Sequence, residues 1–298
     1  LKKEQLHNGW QLDFSYPVKE RTTKDRSRGI TIIFDKGLGI RETRDLLETG
    51  APYIDFWKLG FGTSALYSSA LLMKKIELVN SYNIKIYPGG TFFEIVYTQG
   101  RLKEYLKRAC ELGFTTVEIS DGTIQLSATE RSRAIGTARE MGFCVLTEIG
   151  KKEAAAQFDP HEVAAQMAKD LQDGAFKVII EGRESGKNVT IYNEKGNIEH
   201  GRMKQLLLLA PEQSSIIWEA PLKKQHIDLI TLLGPHVNLG NIFPEDALSV
   251  EALRRGLRSD TLKMFLPYPG GGKRESRAPA LRHEKILQGA NSSYNLSI

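Results

Sequence analysis

Short runs rich in β-branched and aromatic residues alternate along residues 30–265 with longer stretches whose apolar positions recur at helical spacing. The runs that read as strands are Ile30–Asp35, Tyr53–Leu59, Ile84–Tyr87, Thr116–Ser120, Cys144–Glu148, Lys177–Glu181, Ser215–Glu219 and Val237–Asn241. Between them the pattern predicts helices over Arg41–Thr49, Ala65–Ser81, Leu102–Leu112, Ala128–Met141, Pro160–Gln172, Gly201–Leu209 and Leu222–Leu233. Glycines at 50, 113, 142, 174 and 234 sit where these helices should end in a left-handed residue.

Eight strands, each followed by a helical stretch, predict one closed parallel (β/α)8 TIM barrel. An open doubly wound sheet would be expected to follow its first strand with a glycine-rich dinucleotide loop, whereas here Asp35-Lys36-Gly37 follows. The barrel is expected to occupy residues 29–265, after a short N-terminal arm over residues 1–28 with Trp10, Phe14 and Tyr16 packed under it. Residues 266–298, with Pro267, Pro269, three consecutive glycines and Pro279, read as a mobile basic tail. The longest strand-to-helix insertion, 183–200, carries a hairpin-like turn at Asn193–Gly196 and is expected to act as a lid.

Charge changes this picture little. The net charge of +5 over 298 residues comes from the two ends, each about +3, while the body is close to neutral. A nucleic-acid binder would be expected to concentrate its basic face on the folded body, so nucleic acid is not an expected partner. No apolar run is long enough to span a bilayer and no apolar leader opens the sequence, so no membrane partner is expected. Two cysteines, Cys110 and Cys144, supply neither a disulfide framework nor a zinc quartet, and a reducing cytoplasmic setting is expected.

Candidate chemistry lies at the C-terminal strand ends, which converge on one face of a parallel barrel. In chain order they carry Asp35-Lys36, Asp55 and Lys58, Glu118 and Asp121, Glu148, Glu181 with Arg183, Glu219, and then Asn238 and Asn241. Any single one of these could be an ion pair holding the rim, but their clustering at one end of several strands points to a site. No histidine falls at a strand end, and both cysteines read as core, so carboxylates and lysines are left to do the chemistry. Oxygen donors favour Mg²⁺ over zinc. Gly60–Ser64 and Gly89–Thr91 either cradle an anion on backbone N–H groups or are capping turns with Ser64 and Thr91 as N-caps. Gly182–Lys187 offers a flexible loop with two cations.

These strand-end strings together resemble the phosphosulfolactate synthase family. The resemblance is carried by F-D-K-G at Phe34–Gly37, Y-I-D-F-W-K-L-G-F-G-T-S at Tyr53–Ser64, I-K-I-Y-P-G-G-T-F-F-E at Ile84–Glu94 and V-E-I-S-D-G at Val117–Gly122. It continues through L-T-E-I-G-K-K at Leu146–Lys152, I-I-E-G-R-E-S-G at Ile179–Gly186, W-E-A-P at Trp218–Pro221 and G-P-H-V-N-L-G-N-I at Gly234–Ile242, and ends with L-R-R-G-L-R-S-D-T at Leu253–Thr261. It implies a β/α barrel enzyme that uses Mg²⁺ to add sulfite to phosphoenolpyruvate, giving (2R)-phospho-3-sulfolactate. By that likeness Lys152, the second lysine of G-K-K, is the expected acid, with Lys36 also in the catalytic set. Lys58, Arg183, Ser185, Asn241 and Gly90 are expected to bind substrate, and Glu148, Glu181 and Glu118 to hold the metal. The barrel is also expected to self-associate. Two other readings stand beside it: a Schiff-base lysine aldolase on the same scaffold, and a non-catalytic, stress-protective member of the family.

Overall fold

The strands' two-residue period divides every side chain between two environments. In the computed structural model, which describes residues 14–18, 21–151 and 158–265, the strands are β1 (Thr31–Asp35), β2 (Phe56–Leu59), β3 (Lys85–Pro88) and β4 (Thr116–Ser120), followed by β5 (Cys144–Ile149), β6 (Lys177–Ile180), β7 (Ile216–Glu219) and β8 (Asn238–Ile242). One parity, including Ile33, Trp57, Ile86, Val117, Val145, Val178 and Trp218, packs outward into the large core shared with the helices. The other builds a small separate core of Ile30, Ile32, Phe56, Tyr87, Leu146, Ile179 and Ile217 inside the sheet. Two residues further along, the same parity gives Phe34, Lys58, Glu148, Glu181 and Glu219. An apolar plug therefore sits directly beneath a charged layer, and the strand ends build the site for that reason.

All seven ladders are parallel, in the order β3-β2-β1-β8-β7-β6-β5-β4. Strands β3 and β4 lie side by side without a ladder among the described residues. Side chains bridge that seam: the Gly90 N–H donates to Glu118 Oε1 at 2.7 Å, and the Ser120 hydroxyl donates to Glu94 Oε1 at 2.6 Å. Outside the sheet lie α1 (Ile40–Gly50), α2 (Ser69–Asn80), α3 (Gly90–Thr98), α4 (Leu102–Leu112) and α5 (Ala128–Glu140), then α6 (Pro160–Asp173), α7 (His200–Leu209), α8 (Lys223–Leu233), α9 (Ala247–Arg255) and α10 (Ser259–Phe265). The (β/α)8 architecture expected from the sequence is the one observed. No helix among the described residues is long and apolar enough to cross a membrane.

Several local expectations change. Strand β2 begins at Phe56 because Ala51–Tyr53 form a 3-10 turn, and Gly50 ends α1 at φ −113° rather than in the left-handed region. Helix α2 starts at Ser69, capped by the Ser68 hydroxyl, which accepts from the Leu71 N–H, so Ser64 is not its cap. Gly89, not Thr91, is the N-cap of α3. The 183–200 insertion is not a free lid: Val189, Ile191, Tyr192 and Ile198 are buried in the main core. The Tyr192 hydroxyl donates to the Glu219 carbonyl, and Gln225 ties down the carbonyls of Gly186 and Gly196. The hairpin-like turn at Asn193–Gly196 is present, with Asn193 Oδ1 accepting from the N–H groups of Lys195 and Asn197.

The opposite end of the barrel is closed by guanidinium groups. Fully buried Arg254 donates to the carbonyls of Pro235, Val237 and Ile30 at 2.7, 2.6 and 3.1 Å. Arg21 pairs with Glu251 at 3.0 Å and Arg26 with Asp55 at 2.9 Å, pinning the end of the arm to the barrel floor. Arg255 lies 5.0 Å from the centroid of the Tyr16 ring; Trp10 and the 266–298 tail fall outside the described residues. Asp55 and Asn238 therefore belong to this structural end, because each stands at the start of its strand.

Candidate active site

A cavity of about 490 Å³ opens at the C-terminal strand ends. On its wall Lys58 Nζ meets three carboxylates at once: Glu118 Oε2 at 3.1 Å, Glu148 Oε2 at 3.0 Å and Glu219 Oε1 at 3.0 Å. All four side chains are buried, so these contacts act in a medium that screens them far less than water. Burial opposes the ammonium charge, but the three carboxylates outweigh it and hold the Lys58 pKa well above the ordinary lysine value. Burial, with Glu148 and Glu219 adding repulsion, pushes Glu118 up to about 8 against the pull of Lys58.

The backbone shapes itself to these acids. Glu219 Oε2 accepts the Gly182 N–H at 2.9 Å, while Glu118 Oε1 takes the amide of Gly90 at the first turn of α3. A Cβ on Gly90 would stand 2.5 Å from Glu118 Oε1, so only glycine lets the two elements approach this closely. Glu148, Glu181 and Glu219 bring one carboxylate oxygen each within 4.8 Å of one another, the hard, oxygen-only set that a divalent cation such as Mg²⁺ prefers. The expected metal set was Glu148, Glu181 and Glu118; the oxygens that gather here are those of Glu148, Glu181 and Glu219. Glu118 faces the same cavity and shares Lys58 with Glu148 and Glu219, but its Oε1 is taken up by the Gly90 amide at the β3–β4 seam.

The other expected residues divide into those in the cavity and those at its edge. Arg183, Ser185, Asn241 and Gly90 all line it. Arg183 is half-buried at φ +58°, a left-handed conformation in which its N–H reaches Glu181 Oε1 at 2.5 Å. Asn241 is buried at φ +52°, and its Oδ1 accepts no hydrogen bond among the described residues. Lys36 is exposed at the rim, 2.6 Å from Glu184 and 4.7 Å from the centroid of the Phe243 ring. Lys151 turns to the loop after β4, bonding Asp121 and the Ile124 carbonyl, whereas Lys152 lies outside the described residues.

Two strand-end acids do other work. Asp35 points out of the barrel, accepting from Trp57 Nε1 at 2.8 Å, pairing with Lys75 and capping the Gly37 and Leu38 amides. Asp121 pairs with Arg131, which also grips Asp170 and the Glu148 carbonyl and so fixes the end of β5. Phe34 and Phe61 also line the cavity and were not among the expected site residues. The signal for Phe61 was a bulky side chain wedged between Gly60 and Gly62.

Residues 19–260 match the model of the family described as (2R)-phospho-3-sulfolactate synthase (ComA). The chain belongs to the phosphosulfolactate synthase family. It is 42% identical over 251 residues to the phosphosulfolactate synthase of Methanothermobacter thermautotrophicus, covering 84% of this chain and 97% of that one. The phosphosulfolactate synthase of Bacillus subtilis is 35% identical, covering 84% and 98%. Among solved structures, N-acetylneuraminate lyase from Mycoplasma synoviae aligns with a TM-score of 0.52 at 12% identity, covering 81% of this chain and 80% of that one, a likeness of fold alone. As a phosphosulfolactate synthase family member, the chain is a carbon–sulfur bond-forming enzyme.

Proposed function

We propose that this enzyme adds sulfite to phosphoenolpyruvate with Mg²⁺ bound at Glu148, Glu181 and Glu219, producing (2R)-phospho-3-sulfolactate. The carrying observation is the carboxylate trio, with oxygens within 4.8 Å of one another, in the same cavity as Arg183 and Asn241. Mg²⁺, when bound, would draw in the substrate's anionic groups and stabilise charge that develops on its carboxylate.

In this reading the sulfur lone pair forms a bond to the methylene carbon, and the π pair moves toward the carboxylate. A proton then arrives at the phosphate-bearing carbon, and the phosphate ester stays intact. Arg183 and Lys36 attract the substrate anions at the mouth, and Asn241 and Ser185 orient them. Lys58 holds Glu148 and Glu219 in place and contributes positive charge. Lys152, which follows Lys151 in the sequence, is the proposed proton donor. A cytoplasmic location and self-association belong to the same reading, supported by two free cysteines and by exposed apolar side chains such as Leu66.

The surroundings of Lys58 argue against an imine at that lysine, since an amine held as ammonium by three carboxylates is no nucleophile. The test incubates purified enzyme with phosphoenolpyruvate, sulfite and Mg²⁺ and follows the phosphorus resonance of the product. Lys152→Ala should lower turnover by about 10²–10⁴-fold with substrate binding nearly unchanged. No product from the wild type would overturn the reading.

A further inference from the structure

The cavity is chemically lopsided. Its charged side chains come from β2, β4, β5 and β7 and from the loop after β6. Glycine aside, the only apolar side chains among its described lining residues are Phe34, at the end of β1, and Phe61, in the turn after β2. Their rings meet edge to face, 5.4 Å apart at 78°, and Phe243 lies behind Phe34 at 6.2 Å.

This aromatic corner is built at some cost to the backbone. Phe61 adopts φ +55°, a left-handed conformation that bulky side chains rarely take. The turn is fastened by the Thr63 hydroxyl, which donates to the Gly60 carbonyl at 2.7 Å, and by the Gly60 N–H, which donates to the Asp35 carbonyl at 2.8 Å. Glycines on either side make room for it. A Cβ on Gly60 would stand 2.5 Å from the Phe34 ring, and one on Gly89 would stand 3.0 Å from the Phe61 carbonyl oxygen. For all this, Phe61 remains 43% exposed, so burial in the core does not account for its position. Arg183, after β6, and Asn241, in β8, are the other two cavity residues with positive φ.

We infer that Phe61, backed by Phe34, is a specificity-determining wall that receives the methylene end of an enol phosphate and admits only an unsubstituted methylene. The inference rests on the proposed substrate class. Phosphoenolpyruvate carries its phosphate and carboxylate at one end and a single apolar group, the CH₂, at the other. The anionic groups would be drawn toward Arg183 and toward a cation held by Glu148, Glu181 and Glu219. The methylene is then left to the apolar surface that Phe61 and Phe34 supply among the described lining residues, where a substituent on it would run into the Phe61 ring.

The test compares binding of phosphoenolpyruvate with that of its analogue bearing one methyl group on the methylene carbon, by calorimetry with Mg²⁺ present. Wild type, Phe61→Ala and Phe61→Leu are each titrated. A single methyl group against a shaped apolar wall is worth roughly 10–200-fold. The wild type should therefore favour phosphoenolpyruvate by at least about tenfold, Phe61→Ala should bring the ratio near unity, and Phe61→Leu should fall between. Because Phe61 is partly exposed, both variants should fold, and thermal melts check this before titration. A ratio that stays at the wild-type value in both variants overturns the wall, as does failure of the wild type to bind either compound. Turnover with sulfite is scored separately: an inactive wild type whose binding ratio still depends on residue 61 would sink the proposed reaction and leave the wall standing.

Discussion

Replacing Lys58 with methionine keeps most of the side-chain volume and removes the charge that three buried carboxylates share. Each contact, at 3.0 to 3.1 Å, is worth roughly 5 kcal/mol of gross attraction at an effective permittivity near 20. Desolvation of the four groups offsets much of that gain, so the expected net loss is the roughly 3–5 kcal/mol typical of breaking a buried charge pair from one side. The carboxylates have one escape, which is to take up protons. In the variant their folded pKa values rise above the unfolded values, so above about pH 4 the folded state binds protons that the unfolded chain has released. The deficit against wild type should therefore widen as pH rises from 5.5 to 8. Urea unfolding of both proteins in chelator at the two pH values measures it, and Mg²⁺ should recover part of the loss by replacing the missing positive charge. A deficit below about 1 kcal/mol at pH 8, or one independent of pH, would refute the reasoning.

Gly90→Ala forces a Cβ to within 2.5 Å of Glu118 Oε1, and should cost about 1–3 kcal/mol of stability in thermal or urea melts while disturbing the cavity. Glu181→Gln and Glu219→Gln should each weaken Mn²⁺ affinity, read by electron paramagnetic resonance, more than Glu118→Gln does; the reverse order would move the metal toward the β3–β4 seam. Burial, with Arg254 and Arg258 nearby, lowers His226 to about 4, against an ordinary 6.5, while its Nε2 lies 2.6 Å from the Ala220 carbonyl. The native ring stays neutral, so its stabilisation is complete above pH 6.5 and is lost as pH falls toward 4, about 3 kcal/mol in all. His226→Gln should flatten that part of the stability profile, measured by urea midpoints at pH 7.5 and 4.5.

Strand parity explains what the sequence could and could not reveal. The step from Phe56 to Lys58, from Leu146 to Glu148, and from Ile217 to Glu219 is written in the chain as apolar-then-charged at a spacing of two, and it forecast both the barrel and its charged end. Parity misleads where the exact strand frame is unknown. Asp35 also ends a strand, yet it stands one residue off the inward set and points to Trp57 instead. That the oxygens of Glu219, rather than those of Glu118, come together with Glu148 and Glu181 was not legible, because it depends on side-chain placement across the barrel, including the Gly90 amide that Glu118 accepts. Helix α3 was missed because Gly89-Gly90 reads as a turn and the aromatic and β-branched residues that follow favour strands. Its packing, with Phe93 wholly buried and Glu94 bonded to Ser120, overrides that local preference.

The unladdered line between β3 and β4 turns one cavity-lining acid into a clasp. A barrel hydrogen-bonded all the way round has no beginning, but here the sheet has two free margins, and Glu118 fastens one to the other through the Gly90 amide. The same carboxyl group faces the cavity and touches Lys58, so a motion that parts the margins also loosens the charged cluster. Amide exchange at Gly90 would therefore follow the state of the cavity directly, slowing when ligands steady Lys58 and its acids and quickening when they leave. Glu118 thus belongs at once to the unladdered seam and to the wall of the cavity.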